Sequence, residues 1–502
     1  MRALIDGQEI DIAPDELPAF TFSIEDSLDI GSSRGARSTT MRLPMTNRNR
    51  SVIGGQAIGE RATDSFTFSV RNGTASYFDG VCLVRERTPF DASVVAFGDN
   101  ASWMSLLRGK GLREVGYGWS YSHGVNPTTN TIVEDSWAGT GPIVFPLIDY
   151  GQWEEAPPGF SVVNSVLHPC MFVRHALGVA FSEIGFGIAG AGSFKATFDK
   201  LIVPPVNGPL YGFPSVGPSD LVDDPTAAGF IYLPAILPKR SVIDFLGDIC
   251  RLYCVLPVTN GSLVELWHYD DLFPSVPQTN PIDITKRSQG YPAKVTDGAP
   301  RAFVFKMAED KEDVALDSIA TGGFRVRQEV DGGTDEEQEV SVAFAPTWTF
   351  IDEVGVRIPI MRQRNAQGTP GTYPVNRSRT ERLLLWEGMR PGNWTYRGGA
   401  RTSYPLAIGH GDGAASEGST MFLDVTDQTG TVRKNWLNRI TRWTAPRLKL
   451  DAIWADHEIA ALDVTRQVKA SDGIIDGIYY VLEINQHRFG IGEPSETTLV
   501  PL

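Results

Sequence analysis

Glycine and proline are scattered along the whole sequence rather than gathered in a few segments. The chain has 51 glycines and 33 prolines among 502 residues. Both residues interrupt long helices, whereas they suit the turns between short strands. The distribution therefore predicts a mainly β protein with a few short helices, of the α+β class. A chain of this length is enough for about three or four domains.

Alternation of apolar and polar residues at every second position predicts where the first strands lie. The segment "FTFSIEDSLDI" begins such a pattern at Phe20, and residues 64–99 contain a further run of strands. The Asn-Gly pair that ends in Gly73 predicts a tight hairpin turn, because glycine tolerates positive φ. The Asp-Gly pair that ends in Gly80 predicts a second turn within "TASYFDGVCLVRE".

Three segments have the apolar spacing of short helices. The first is "ASWMSLLRG", residues 101–109. The second is "HPCMFVRHALGVAFSEIGF", residues 168–186, with Pro169 in its first turn. The third follows Ser241, which we expect to cap it, and leads into a strand, a turn at Gly261 and a second strand. This helix should lie on the hairpin that follows it.

Charge and cysteine content exclude several classes of protein. The chain has 45 basic and 60 acidic residues, a formal net charge of −15, which argues against stable binding of nucleic acid. No apolar stretch approaches the length that spans a membrane, and the N-terminus has no apolar core of signal-peptide type. Four cysteines, none in a C-x-x-C pair, favour folding in a reducing cytoplasm.

Motifs for catalysis are weak. The segment "GSSRG", residues 31–35, matches the Gly-x-Ser-x-Gly pattern of esterases, but a strand pattern rather than a helix follows it, which favours a loop. Paired carboxylates cannot be assigned, because acidic residues occur throughout the chain. The sequence therefore predicts no catalytic residues.

Motifs for metal binding are equally weak. His168 and His175 are seven residues apart, unlike the closer spacing of zinc helices. His410 in "GHGDG" could lie near a metal, together with the aspartate of that segment, but a polar glycine-rich turn is far commoner. Cys250 and Cys254 share a helix face and are expected to be small core residues. We therefore expect neither a metal nor a cofactor.

The order of several short motifs along nearly the whole chain resembles a family of known proteins. The motifs are "FTFSIEDSLDI", "STTMRLPMTNRN", "YFDGVCLVRE", "FGDNASWMSLLRGKGLREV", "HPCMFVRHALGVAFSEIGF", "SVIDFLGDICRLYCVLPV", "SYPLAIGHGD" and "DGIYYVLEINQHRFG". Each motif is weak alone, and their order carries the likeness. The family comprises phage and prophage tail structural proteins, encoded near the tape-measure gene.

The resemblance implies a fold, a role and a set of partners. The fold would consist of several small β-barrel or sandwich domains. The role would be that of a non-enzymatic tail-tip or baseplate hub, which closes or extends the tail tube and lets DNA pass without stable binding. The implied partners are other copies of the chain (a trimer), the tail tube, and the distal tail, tape-measure and fibre or tip proteins. The protein would be assembled in the bacterial cytoplasm and reside in the virion tail.

The sequence patterns and the resemblance together predict five segments. They are an N-terminal β-barrel-like domain (1–118), an aromatic and proline-rich insertion with one helix (119–206), a helix-plus-hairpin unit (230–290), a β-rich domain (291–400) and a C-terminal β-rich domain (401–502).

The segment "RSTTMRLPMTNRNRSVIGG" concentrates positive charge in an acidic chain. A strand pattern stops at Pro44, and a run without apolar residues follows. One interpretation is an ordinary solvated loop. The other is a strand that completes a barrel, followed by a loop that docks on an acidic neighbouring subunit. The docking residues would then be Arg37, Arg42, Arg48 and Arg50.

Two other functions remain open from the sequence. A virion-associated carbohydrate-active enzyme would make use of the eleven tryptophans, which can stack on sugars. A minor virion protein at another position, such as a neck or fibre adaptor, would share the structural character of a hub.

Overall fold

The computed structural model describes most of the chain. The described residues are 2–13, 18–23, 36–54, 65–117, 119–123, 132–150, 161–162, 167–205, 211–212, 229–295, 300–311, 313, 325–329, 336–351, 356–361, 380–409, 436, 439–440, 445, 447–460, 462, 466–471 and 476–502.

The described residues form a mainly β structure with short helices, which confirms the predicted fold class. Strands are numbered here in chain order. The largest sheet contains β1 (Arg2–Ile5), β2 (Gln8–Glu9), β3 (Phe20–Ser23), β4 (Arg37–Ser38), β5 (Met41–Pro44), β6 (Ser65–Asn72), β7 (Ala75–Arg87), β8 (Asp91–Gly98), β19 (Ile282–Asp283), β20 (Ser288–Val295), β28 (Arg447–Ala452), β29 (Gln467–Ser471), β30 (Asp476–His487) and β31 (Ser495–Pro501).

Smaller sheets make up the rest, and each contains at least one antiparallel pair of strands. One contains β10 (Ile143–Val144), β11 (Ser161–Val162), β12 (Cys170–Phe172), β14 (Leu201–Val203), β26 (Leu384–Tyr396) and β27 (Gly399–Ile408). The others are formed by β13 (Gly187–Gly190), β17 (Val255–Asn260) and β18 (Leu263–His268); by β9 (Trp119–His123), β15 (Tyr211–Gly212) and β16 (Gly229–Tyr232); by β21 (Ala302–Met307), β22 (Arg325–Glu329) and β23 (Glu337–Val342); and by β24 (Trp348–Ile351) and β25 (Arg357–Ile360).

The helices are short, as expected for a chain so often interrupted by glycine and proline. They are α1 (Asn47–Ile53), α2 (Asp99–Leu107), α3 (Ile132–Ser136), α4 (Val173–Ser182), α5 (Lys195–Lys200), α6 (Val242–Tyr253), α7 (Tyr269–Leu272) and α8 (Asp456–Ala460). Single 3-10 turns lie at Leu112–Glu114, Gly192–Phe194 and Leu233–Ala235.

Strands from both ends of the chain share the largest sheet. Its order is β2-β1-β6-β7-β8-β4-β3-β30-β31-β28-β20. The joint between the two halves is the antiparallel pair β3–β30, where Phe20 lies opposite His487 and the Thr21 hydroxyl donates to Asn485 Oδ1 at 2.8 Å. The predicted N-terminal and C-terminal segments therefore contribute to one sheet. The division into five segments otherwise stays a prediction.

Alternation along β8 shows how this sheet forms its core. Ala92, Val94 and Ala96 are fully buried. Ser93, which follows Ala92, and Phe97, which follows Ala96, lie on the opposite face. This period of two is the strand periodicity, and it places one face of the sheet over the apolar cluster.

The predicted turn at Gly80 is wrong, because β7 continues through it without interruption. Gly80 lies opposite Gly98 of β8, and a Cβ atom at Gly80 would stand 2.1 Å from the carbonyl oxygen of Phe97. Glycine is required here for the close approach of two backbones rather than for a turn. The turn at Gly73, between β6 and β7, is confirmed, with φ of 60°.

Replacing Gly80 with alanine should lower the free energy of unfolding by about 1–3 kcal/mol, because the added methyl group forces two paired strands apart. Chemical denaturation measures the change. The matched control is Gly178→Ala in α4, where a Cβ atom meets nothing within 4 Å. That substitution should stabilise the protein by about 0.5–1 kcal/mol, since alanine favours the helix. Equal effects at both positions would contradict the close-approach explanation.

The helix and the hairpin predicted after Ser241 are both present, whereas the bounds of the unit they belong to stay a prediction. Ser241 caps α6, and its hydroxyl accepts the N–H of Asp244 at 3.0 Å. The helix ends at Cys254, which adopts a left-handed conformation with φ of 50°. The chain then forms the antiparallel hairpin β17–β18, with Gly261 in its turn at φ of 60°. The apolar face of α6 packs into the largest apolar cluster of the described residues.

The helix predicted over residues 168–186 is shorter than expected. Its first part is the strand β12, and α4 begins only at Val173, so Pro169 is not in the first turn. Met171 lies opposite Ile143 on one side and Val203 on the other. Pairing with two distant strands satisfies the backbone of this segment, which overrides its helical spacing.

Candidate docking surface

The arginine-rich segment after Pro44 is a helix, which corrects the prediction of a loop. Thr46 caps α1, and its hydroxyl accepts the N–H of Asn49 at 3.2 Å. Threonine is a favourable N-cap residue, because its side chain replaces a missing helical hydrogen-bond partner. The helix ends at Gly54, whose φ is 82°.

The side chain of Asn49 attaches this helix to neighbouring segments of the chain. Its side chain is fully buried and donates to the carbonyl oxygens of Asp11 (2.8 Å) and Pro44 (2.7 Å). Its Oδ1 atom accepts the N–H of Asp11 at 2.9 Å. A buried amide with these partners fixes α1 against the end of β5 and the N-terminal segment. The polar run "NRNR" therefore contains one interior residue.

The two arginines of α1 have different partners. Arg48 forms an ion pair with Asp11, at 2.9 Å between Nη1 and Oδ1. The pair is solvent-exposed, so it contributes little to stability, but it balances the charge of Arg48. Arg50 donates to the carbonyl oxygen of Pro89 at 3.0 Å. Because a carbonyl oxygen has no formal charge, this hydrogen bond does not neutralise the positive charge of Arg50.

Arg37 and Arg42 lie on strands rather than on the helix. Both are exposed. Arg42 lies opposite Ser93 and Arg37 opposite Phe97, so both point to the same face of the sheet. Four positions along β8 separate them by roughly 13 Å. The four arginines thus form two groups, and the structure brings only Arg48 and Arg50 onto one short element.

The structure adds an exposed aromatic residue to this region. Phe90 is 84% exposed, in the connection between β7 and β8. Its carbonyl oxygen accepts the N–H of Met45, and the preceding Pro89 accepts from Arg50. We use the name Phe90 loop for residues 88–91 together with Arg50 of α1, which is hydrogen-bonded to them. The signal in the sequence was the phenylalanine within "TPFD", a turn composition in which an apolar side chain has no strand face to occupy.

Other charged clusters lie in the interior. Asp248 of α6 accepts from Arg240 and Arg251, each at 2.6 Å, and from the N–H of Ala343 at 3.0 Å. Arg240 also contacts Glu381 at 2.8 Å, and burial raises the pKa of Glu381 against the opposing effect of Arg240. Asp248 is buried, and its partly buried charged neighbours belong to the same set of ion pairs, which is typical of a structural network.

A second buried cluster has the same character. Arg382 donates to Asp310 at 2.9 Å and to Asp313 at 2.8 Å, and all three side chains are buried. An arginine between two carboxylates offsets one of their two formal negative charges in a buried region. We assign both interior clusters to stability of the fold.

The described cysteines are unsuited to nucleophilic chemistry. All four are buried and unpaired. Burial raises the pKa of Cys82 to about 12 and that of Cys254 to about 11, and it also raises the pKa of Cys170 and Cys250. The thiolate, which is the reactive form, is therefore scarce at neutral pH. Cys250 and Cys254 are core residues, as predicted.

The candidate metal and esterase motifs lie partly within and partly outside the described residues. Within the described ranges, no group of three or more His, Cys, Asp or Glu side chains could hold a metal ion. His168 makes an edge-to-face contact with Tyr150, and His175 makes a separate, tilted contact with Tyr117. Burial lowers the pKa of His175. The segment "GSSRG" and His410 lie outside the described residues. In the described part of the chain, no helix combines the length and apolar composition needed to cross a membrane.

Comparison with known proteins gives likenesses of shape at very low identity. A 43 kDa tail protein of prophage MuSo2 from Shewanella oneidensis is 8% identical, with a TM-score of 0.39 over 100% of this chain and 97% of that one. A tail protein from Neisseria meningitidis MC58 is 7% identical, with a TM-score of 0.40 over 99% and 95%. Prophage tail protein gp18 from Listeria monocytogenes EGD-e is 8% identical, with a TM-score of 0.38 over 100% and 94%.

Similarity of this extent carries no argument about what this chain does. No protein-family model and no curated protein sequence matches the chain.

Proposed function

We propose that this chain is a non-enzymatic structural protein of a bacteriophage tail, placed at the tail tip or baseplate hub. The observation that carries the proposal is the order of motifs along nearly the whole sequence, from "FTFSIEDSLDI" to "DGIYYVLEINQHRFG". The burial of the described cysteines and charge clusters agrees with a protein that turns over no substrate. Its partners would be other copies of the chain, as a trimer, and the tail-tube, distal-tail, tape-measure and fibre or tip proteins.

The charge of the chain suits a passage for DNA. A net charge of −15 per copy, repeated around a ring, would repel the phosphates of a passing duplex. DNA would then move through without stable contact. The same charge requires positive sites wherever two acidic copies meet, and Arg37, Arg42, Arg48 and Arg50 are the proposed sites.

Mass spectrometry of purified virions, combined with cryo-electron microscopy of the tail, tests this function. The expected result is that the chain is a virion component with density at the distal end of the tail tube. Density at the neck or in the fibres would contradict the hub role. Absence from virions, or depolymerisation of a host polysaccharide by the purified chain, would contradict the structural role altogether.

Reversing the charge of Arg48 and Arg50 to glutamate should impair incorporation into tails while the monomer stays folded. The two new carboxylates would repel an acidic neighbour, whereas both side chains are exposed and contribute little to folding. Complementation of a gene deletion measures assembly, and circular dichroism measures folding.

The matched control for this double variant is Arg2→Glu with Arg71→Glu. These arginines are exposed, lie opposite each other on β1 and β6, and have acidic partners of their own. They lie towards the Gly73 end of the β6–β7 hairpin, whereas the Phe90 loop follows the other end of β7. Normal assembly of the Arg48 and Arg50 variant would remove their docking role.

A further inference from the structure

We propose that the Phe90 loop is the anchor by which one copy of this chain docks on an acidic surface of a second copy. Phe90 would become buried at the contact, and Arg50 would face the neighbour's carboxylates. The proposal rests on the structural role proposed above and names the contact that carries it.

The exposure of Phe90 is the first argument. Among the described residues it is the most exposed large apolar side chain, at 84%, and the next is Val276 at 69%. An aromatic ring offers a large apolar area with few rotatable bonds, so its burial at an interface yields much binding free energy for little lost entropy.

The rigidity of the loop is the second argument. The Thr88 hydroxyl accepts the N–H groups of Phe90 (3.2 Å) and Asp91 (2.9 Å), and it donates to the Asp91 carboxylate at 2.7 Å. The N–H of Thr88 donates to the Asp91 carbonyl, and Met45 donates to the Phe90 carbonyl, each at 2.8 Å. The backbone is therefore fixed while the ring projects into solvent. A contact that is already ordered loses little entropy when it binds.

Charge selects the second copy as the partner. Arg50 donates to the carbonyl oxygen of Pro89, so its charge lies at the backbone of the residue before Phe90. The whole chain carries −15, so the remaining surface of a copy is acidic on average and complements the positive charge of Arg50. Because Phe90 and Arg50 meet a different, acidic surface, the contact is head-to-tail, the type that forms a ring when the rotation between copies closes.

Sedimentation velocity of the full-length chain over a range of concentrations tests the contact. Phe90→Ala should weaken self-association on the order of 30-fold or more, the effect of truncating an aromatic anchor. Arg50→Gln keeps a hydrogen-bond donor near Pro89 and removes the charge, and it should weaken association and reduce its dependence on salt. Phe90→Tyr should retain association.

The matched control is Val276→Ala. Val276 is also exposed on a fixed connection, where Gln467 Nε2 donates to its carbonyl oxygen at 3.0 Å, and this partner is uncharged. The control should associate as the unchanged chain does. Equal weakening by Val276→Ala and Phe90→Ala would overturn the proposal, as would an unchanged chain that stays monomeric at its highest soluble concentration. Binding of duplex DNA that is lost in Phe90→Ala would assign the loop to a different partner and also overturn it.

The experiments distinguish a failure of this contact from a failure of the proposed function. Virions that contain the chain and assemble normally with Phe90→Ala would refute the contact and leave the tail role standing. Self-association that depends on Phe90, in a chain absent from virions, would refute the tail role and support the contact.

Discussion

Replacing Asp248 with alanine should lower the free energy of unfolding by about 3–5 kcal/mol. The carboxylate holds two arginines and one backbone N–H within 3.0 Å, at a position almost without solvent. Its loss would leave Arg240 with Glu381 as its remaining carboxylate and would deprive Ala343 of its acceptor. The loss of the one carboxylate shared by two partly buried arginines, together with an unsatisfied backbone donor, is costly for a fold. Urea denaturation followed by tryptophan fluorescence measures the change.

Lys195→Ala is the control for this prediction. Lys195 pairs with Asp199 at 2.7 Å on α5, with the same formal chemistry, but both side chains are exposed. That substitution should change the free energy of unfolding by less than about 0.5 kcal/mol. A loss of similar small size at Asp248 would show that the interior network is solvated and contributes little.

Replacing Phe20 with alanine should lower the free energy of unfolding by about 3–5 kcal/mol. Phe20 is buried at the β3–β30 joint, with ring centroids 4.7 Å from Phe78 and 5.3 Å from Phe489. Removing the ring would leave a cavity between strands from opposite ends of the chain. Hydrogen exchange should therefore show lost protection in both β3 and β30, in addition to the lower midpoint of denaturation.

The control is the same substitution at Phe90. That ring is exposed, so Phe90→Ala should leave the free energy of unfolding within about 0.5 kcal/mol of the unchanged chain. A stability loss at Phe90 comparable with that at Phe20 would mean that the Phe90 loop is part of the fold rather than a surface for a partner.

Elements formed by local interactions could be predicted from the sequence. The cap at Ser241, the apolar face of α6 and the turn at Gly261 lie within a short stretch, and each is decided by neighbours along the chain. The mainly β class followed from the scattered glycines and prolines for the same reason. In these cases, tertiary contacts did not change the conformation that the local sequence favours.

Elements formed by distant contacts could not be predicted. Residues 170–172 have helical spacing, but two strands far along the chain pair with them. Gly80 has the composition of a turn, and only the approach of β8 explains why glycine is needed. Asn49 reads as a solvated residue until its partners Asp11 and Pro44 are known.

The docking role of the four arginines stays a prediction, and the same physical reason limits what the sequence could say about their arrangement. Charge is visible in a sequence, so the arginines could be chosen from it. Their separation into two groups depends on the register of β4 and β5 against β8. The pairing of Arg48 with Asp11 and the exposure of Phe90 depend on how separate parts of the chain meet.

The pairing of β3 with β30 also requires a long delay between the synthesis of the two strands. Thr21 and Asn485, which are hydrogen-bonded there, are 464 residues apart. At elongation rates of about 5–20 residues per second, the first strand leaves the ribosome roughly 20–90 s before its neighbour exists. During that interval β3 can pair with β4, but its edge towards β30 has no partner and is a site at which other nascent chains can pair.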